Sequence, residues 1–482
     1  MVIREISVIF VIAKNKKIAQ PFTMSKFIAS AAEKQESATL FELEPIKNKR
    51  VQLDFSAPKL STFGGLAAIR EYEQPGNIID RIVSCIVDLR NQDLVVHSYG
   101  EMVRQRVYQI IAGYEDADDC DRLRSDGMLK LCAGRKPSDE IDLASQPTMC
   151  RLENKLTRQE LYAIGMAFID NFIASYDSAP ELIVIDADDT NANTFGTQQL
   201  TLFNAYYGEY CYMPLLLFEG QSGKMILPIL RPGRTNKSIN ISGWLVRLIT
   251  LLKKKWPEVK IIFRGDSQFC SHQFMDWVRD NRQKQVRFIT GLAGNVKLLE
   301  KVAPWVEQAK AHYKETGQEI KQFHSFLYKA GSWKYQQLVV VKIEVGPLGE
   351  NIRFIVTNIL HGTSREKYSV MYCDRGNCEL WIRELKEGLM ADRMSCNKFS
   401  ANQFRLFLHC AAYVIMHSFR NYVTGGTLLE GCTVRTFRER IILSAVYIDE
   451  KKTCIRLRLS QDHPMKAVFC EMLGRVQHLP AS

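Results

Sequence analysis

From Val51 to about residue 175 the apolar residues recur mainly at helical spacing. A short strand at Val51 and a turn at Gly64–Gly65 lead into one helix. Further helices are predicted over Ile78–Leu89 and Glu101–Tyr114, and another opens at Ser145–Thr148. At Pro180 the pattern changes. ELIVIDADDT (181–190) is a run of β-branched residues that ends in acids, which reads as a strand. A glycine-punctuated loop, a strand around Tyr210–Phe218, a turn at Gly220–Gly223 and the strand KMILPILRPG predict an antiparallel meander. A helix over Ile241–Trp256, a buried strand Val259–Phe263, a helix Ser271–Asn281 and a strand Val286–Gly291 follow. Residues 295–350 read as a helix and then alternating strands rich in Lys and aromatics, and Arg353–Thr357 is one more strand. Tyr372–Lys386 reads as a helix whose buried stripe is Cys378, Ile382, Leu385 and Leu389. The apolar helix 401–420 should lie against the sheet, and 425–482 is basic with little pattern.

These changes predict an N-terminal extension (1–50), an all-helical domain (51–175), a catalytic α/β unit (176–294 and 351–424), a β-rich insertion (295–350) and a basic C-terminal region (425–482). The length of 482 residues and the 46% hydrophobic content support several cores. With 64 Lys+Arg against 53 Asp+Glu, the net charge of +11 suits a polyanionic partner. The thirteen cysteines include no CxxC pair, so a zinc ribbon is not indicated and reduced thiols in a cytosol are expected. No apolar run reaches the ~18–20 residues that a membrane span needs. Residues 1–23 make a poor signal peptide and are given no function. The acids of 113–126 lack the ligand spacing of a calcium loop, so helix capping and pairing with Arg122 and Arg124 are expected there.

The chemistry concentrates in three carboxylates. Asp186 and Asp188 point to one face of the first strand and Asp189 to the other. Asp266 follows the fourth strand, inside Arg264–Ser267 (RGDS), where sites gather in sheets fed by crossover helices. Glu379 lies on the later helix. There Tyr372, Arg375, Glu379 and Lys386 fall at i, i+3, i+7 and i+14, on one side at regular helical pitch. The alternative for that edge is a solvated row of charges. A β-β-β-α-β-α-β-α order with acids at these places is the ribonuclease-H-like arrangement, a mixed five-stranded sheet with flanking helices in which strands one and four are neighbours. Asp188 and Asp266 would then meet, and the Glu379 helix would close the site. Oxygen-only ligands favour two Mg²⁺ or Mn²⁺ ions.

These residues resemble the DDE transposases of bacterial insertion sequences, in the branch that carries a Y-x2-R-x3-E-x6-K signature. Tyr372, Arg375, Glu379 and Lys386 fit that spacing, Asp188–Thr190 fits a D-x-T pattern, and Arg264–Ser267 fits the second acid's turn. The stretches GYEDADDCDRLR, LASQPT and RLEN also look like one subgroup, so the resemblance covers about residues 50–420. It implies that Asp188, Asp266 and Glu379 are catalytic and hold the metal, while Tyr372, Arg375 and Lys386 contact DNA. It further implies cut-and-paste transposition on terminal inverted repeats and target DNA, commonly through a DNA hairpin, by a homodimer in the synaptic complex. The helical N-terminal domain would read the ends, in a cytoplasmic, nucleoid-associated protein. Asp186 could replace Asp188 as the first ligand. The rivals are an inactive or domesticated transposase acting only as a DNA-binding regulator, and a host nuclease of the same fold.

Overall fold

The computed structural model describes residues 41–73, 77–234, 241–281 and 285–479, so the readings made on 1–23 and on most of 1–50 lie outside it. Strands β1 (Phe41–Ile46) and β2 (Lys49–Leu53) pair as an antiparallel hairpin, in a unit of its own that ends at Pro58. Lys47 and Asn48 both take positive φ, 46° and 65°, which matches the twist of the flanking strands at a two-residue turn.

The second unit runs from Lys59 to Ser482. After β3 (Leu60–Ser61) its first part is helical: Leu66–Tyr72, Ile78–Ser84, Tyr99–Ala112, Gln146–Lys155 and Arg158–Ala174 are the main helices. Thr157 and Glu160 close the last of these with a reciprocal capping box. Strand β4 (Leu182–Asp189) follows. Next, β5 (Ala192–Asn193), β6 (Leu202–Asn204) and β7 (Glu209–Tyr212) make a small separate sheet in the order β5-β7-β6. Strands β8 (Leu215–Glu219), β9 (Met225–Ile229), β10 (Lys260–Gly265), β11 (Val286–Leu292), β12 (Ile320–Tyr328), β13 (Gln337–Gly346) and β14 (Gly349–Thr357) join β4 in one eight-stranded sheet. Its order is β12-β13-β14-β11-β10-β4-β8-β9, with β4, β10 and β11 parallel and the other pairs antiparallel.

The sheet has eight strands where the sequence suggested five, because β14 pairs with β11 and β13 and β12 add on beyond it. The stretch 295–350 is therefore a helix, Val296–Thr316, followed by strands that continue the main sheet. Helices cover both faces of β4, which explains its nearly unbroken apolar run. On one face Ile183, Ile185 and Ala187 pack with Leu245, Leu248 and Leu252. On the other, Leu216 and Phe218 of β8 pack with residues of the helix Phe399–Val423 and of the signature helix. Each fully buried aromatic or branched side chain there contributes roughly 1.5–3 kcal/mol.

Helix Phe399–Val423 is the hub of the second face, with Phe404, Leu408, Met416 and Phe419 buried against the N-terminal helices. Charge joins the same elements. Arg106 and Arg405 are buried beside Glu153, and Arg405 Nη2 donates to Asp116 Oδ1 at 2.8 Å. The acids of 113–126 thus pair with an arginine almost 290 residues away, as well as with nearer groups such as the Gln146 N–H, which reaches Asp121 at 3.0 Å. Residues on both sides of position 176, such as Phe168 and Tyr212, contribute to this shared core. The C-terminal region also has regular structure. Strand β15 (Val446–Glu450) pairs with both β16 (Ile455–Leu459) and β3, and a helix spans Lys466–Gln477.

Candidate active site at the ends of the central strands

The parallel ladder of β4 and β10 sets the geometry. Arg264 lies opposite Asp186 and Gly265 opposite Ala187, so the next residues along each strand are Asp266 and Asp188. The two acids are close enough that the charge of Asp266 helps to push the Asp188 carboxyl up. Burial is the larger cause, and together they bring it to about 6 against the pull of Arg375. Asp266 also caps its own turn, accepting from Gln268 N at 2.8 Å, and Ser271 caps the helix His272–Asp280 that follows.

Asp186 has a different partner. It is fully buried, and Arg264 grips it with two bonds, Nε to Oδ1 at 2.6 Å and Nη2 to Oδ2 at 2.7 Å. The other guanidinium nitrogen reaches Asp374 at 2.8 Å and the Met371 carbonyl at 3.0 Å. Arg264 therefore fastens the signature helix to two central strands. Gly220 admits this pair, since a Cβ there would lie 2.5 Å from both Arg264 Nη2 and Asp186 Oδ2. Asp189, on the opposite side of the strand, pairs with Arg231.

The signature helix runs from Glu366 to Gly388 with uneven pitch: a wide turn to Tyr372, a tight one to Gly376, a regular stretch Asn377–Arg383 and a second wide turn. Its apolar stripe is buried as the spacing predicts, at Cys378, Ile382, Leu385 and Leu389. The polar edge faces the end of β4. Arg375 Nη1 donates to Asp188 Oδ2 at 2.8 Å, and its Nη2 stands 3.8 Å from Glu379 Oε1. Glu379 is 69% exposed and reaches Asp188 only through that arginine. Lys386 Nζ donates to the Asn191 carbonyl at 2.9 Å and to Thr190 Oγ1 at 3.2 Å, which ties the helix to the loop after β4. Tyr372 is mostly buried beside Tyr368, with its ring 5.5 Å away, and burial raises its hydroxyl. Its oxygen lies over Gly291 of β11, where an added Cβ would meet the Ser267 N–H group at 2.7 Å and Tyr372 Oη at 2.9 Å.

Asp188, Asp266, Arg375 and Tyr372 are thus gathered at one place, with Glu379 at its rim and Lys386 one loop away. Sequence reasoning missed the Arg264–Asp186–Asp374 lock. The RGDS turn pointed to Asp266, and nothing in the order of residues said that its arginine serves a strand 78 positions earlier. Among the described residues no three acids, histidines or cysteines stand together as a ready metal cluster.

No curated protein matches the chain. A cryo-EM structure of the piggyBac transposase synaptic complex with hairpin DNA is similar at TM-score 0.41 and 12% identity, over 78% of this chain and 79% of that one. A family model described as Transposase DDE domain group 1 matches residues 43–481. That match spans nearly the whole chain, and by it the protein belongs to the DDE transposases.

Proposed function

We propose that this chain is the transposase of an insertion sequence, cutting and joining DNA with a ribonuclease-H-like core. The observation that carries the reading is the pairing of Asp188 with Asp266 at the ends of adjacent parallel strands, with Arg375 of the signature helix bonded to Asp188. Five consecutive strands at one end of the sheet, β9-β8-β4-β10-β11, support the reading, because β4 and β10 are neighbours among them.

The donors fit a hard divalent ion in kind. They are oxygen-only, and burial and the nearby charge of Asp266 push the Asp188 carboxyl up even with Arg375 bonded to it. Asp188, Asp266 and Glu379 would hold Mg²⁺ or Mn²⁺. When bound, the ions supply Lewis-acid polarisation of the phosphodiester and a water or 3′ hydroxyl made nucleophilic. The chain's own contribution is charge and position. Arg375 now satisfies Asp188, and it stands where it can exchange that carboxylate for a phosphate oxygen. Tyr372, held by its packing, presents its hydroxyl beside Asp266 and the Ser267 backbone. Lys386 fixes the loop that follows β4 and adds positive charge to the groove beside it. The basic surplus holds the duplex, and two ends brought together would call for two copies of the chain.

The test separates chemistry from binding. On duplexes carrying the ends of the element that encodes this chain, Asp188→Asn and Glu379→Gln should bind within about twofold of wild type and lose at least ~10²-fold in cleavage rate. Chelation of divalent ions by EDTA should abolish the remaining activity. Near wild-type cutting by Glu379→Gln would remove that residue from the site. Binding without cutting by the wild-type protein itself would favour the regulator.

A further inference from the structure

The small sheet β5-β7-β6 and its loops carry several exposed rings. Phe195 is 89% exposed, Tyr206 87%, Tyr210 58% and Phe203 49%. Phe203 stands directly opposite Tyr210 in the ladder, with rings 5.5 Å apart, and Tyr206 meets Tyr207 edge-on at 4.9 Å. Exposed rings in such number mark an interaction surface rather than ordinary solvent exposure.

The rings stand on a firm base. Asn204 Nδ2 donates to the Gly233 carbonyl at 2.8 Å, and Tyr212 Oη donates to the Gln199 carbonyl at 2.7 Å. Gly233 is pressed so close that a Cβ would lie 2.1 Å from the Cys211 carbonyl oxygen. The loop bearing Phe195 is held by Gln198, whose amide donates to the Cys396 carbonyl at 2.8 Å.

Two observations place this face beside the cutting site. Strand β5 begins at Ala192, four residues past Asp188, and Lys386 Nζ holds the intervening Asn191 carbonyl at 2.9 Å. Phe195 lines a groove of about 710 Å³ together with Glu379, Arg383, Lys386 and Arg393. Rings next to cations suit an unstacked nucleic acid strand: the cations take the phosphates and the ring faces take the bases. A paired duplex cannot use the rings in this way, since its base faces are already covered by its own stack.

We infer that the β5-β7-β6 sheet and its loops form a stacking platform for the bases of a DNA strand unpaired next to the cut, with Phe195 and Tyr206, both in the loops, as its main rings. The inference rests on the function proposed above.

Two labelled DNAs with the same paired sequence test it, one fully paired and one forked with about ten unpaired thymines, a length within the span such sites cover. Fluorescence anisotropy should show the wild-type protein binding the fork roughly tenfold or more tighter than the duplex. In Phe195→Ala/Tyr206→Ala, two exposed positions where folding is not at stake, that preference should vanish while duplex affinity stays. Equal binding of both DNAs by the wild type, or a fork preference that survives the double substitution, overturns the platform and leaves the DNA reading intact. Loss of self-association by the double variant in sedimentation, with fork preference retained, would assign the face to a second copy and overturn the platform too. Failure of the wild type to bind either DNA overturns the proposed function and this inference with it.

Discussion

Asp186 and Asp188 sit two residues apart on the same side of one strand, and different arginines claim them. Arg264 holds Asp186 at two points in the interior, where removing one partner leaves a buried charge unanswered. Asp188 meets Arg375 through one oxygen, at the mouth of the site. The two acids should therefore respond differently to neutral substitution. Asp186→Asn should destabilise the fold by about 3–5 kcal/mol and lower the melting temperature by several degrees. Asp188→Asn gives up one bond to Arg375 where Asp186→Asn gives up two to Arg264, so its loss of melting temperature should be clearly smaller. Differential scanning fluorimetry on both variants decides this, and equal losses would mean that Asp188 is as structural as Asp186. Alternation along a strand put both acids on one face, but it could not rank them. The ranking comes from Arg264 and Arg375, which lie 78 and 187 positions away.

At the scale of elements, sequence reading worked where a period runs unbroken. Strand β4, the helix Ile241–Lys255 and the buried stripe of the signature helix were all legible, because each buries a face set by its own spacing. The pairing of β14 with β11 was not legible, since hydrogen bonds between strands leave no mark on the order of residues. The uneven pitch of the signature helix was hidden for a related reason. Wide turns follow from what the helix packs on, and they shift the phase that a regular spiral would give Lys386. The helix Leu66–Tyr72 has a consequence of its own. It is followed by Glu73, whose buried carboxyl accepts from Tyr108 Oη at 2.8 Å and is pushed up to about 7, mainly by burial. Between its ordinary value of 4.5 and about 7, the folded chain keeps a proton that the unfolded chain has released. Stability should therefore fall as pH rises through that window, and stay lower above it. Glu73→Gln should melt with wild type near pH 5 and above it near pH 8, by roughly 1–3 kcal/mol. A constant offset between the two proteins across pH would show that Glu73 is not the titrating group.

For the whole molecule, the shared core decides what can be separated. Residues 51–175 read as a helical domain, yet their apolar faces meet the helix Phe399–Val423 and the buried Arg405. A fragment of 51–175 should accordingly give a broad, non-cooperative melt and bind a hydrophobic dye, and adding 399–479 in trans should sharpen the melt. A cooperative melt of the fragment alone would show that the division at 176 is a real one.

The hydrogen bond from Arg375 to Asp188 joins groups 187 residues apart in the chain. At ~5–20 residues per second, the ribosome adds Arg375 on the order of ten to forty seconds after Asp188. Until then the strand acids have neither their arginine nor Glu379. On the function proposed above, a nascent chain, or one cut short by an early stop, would hold two carboxylates without the helix that completes their site, and would not cut. Under that proposal the order of synthesis would act as a safety catch, released only when most of the protein has been made.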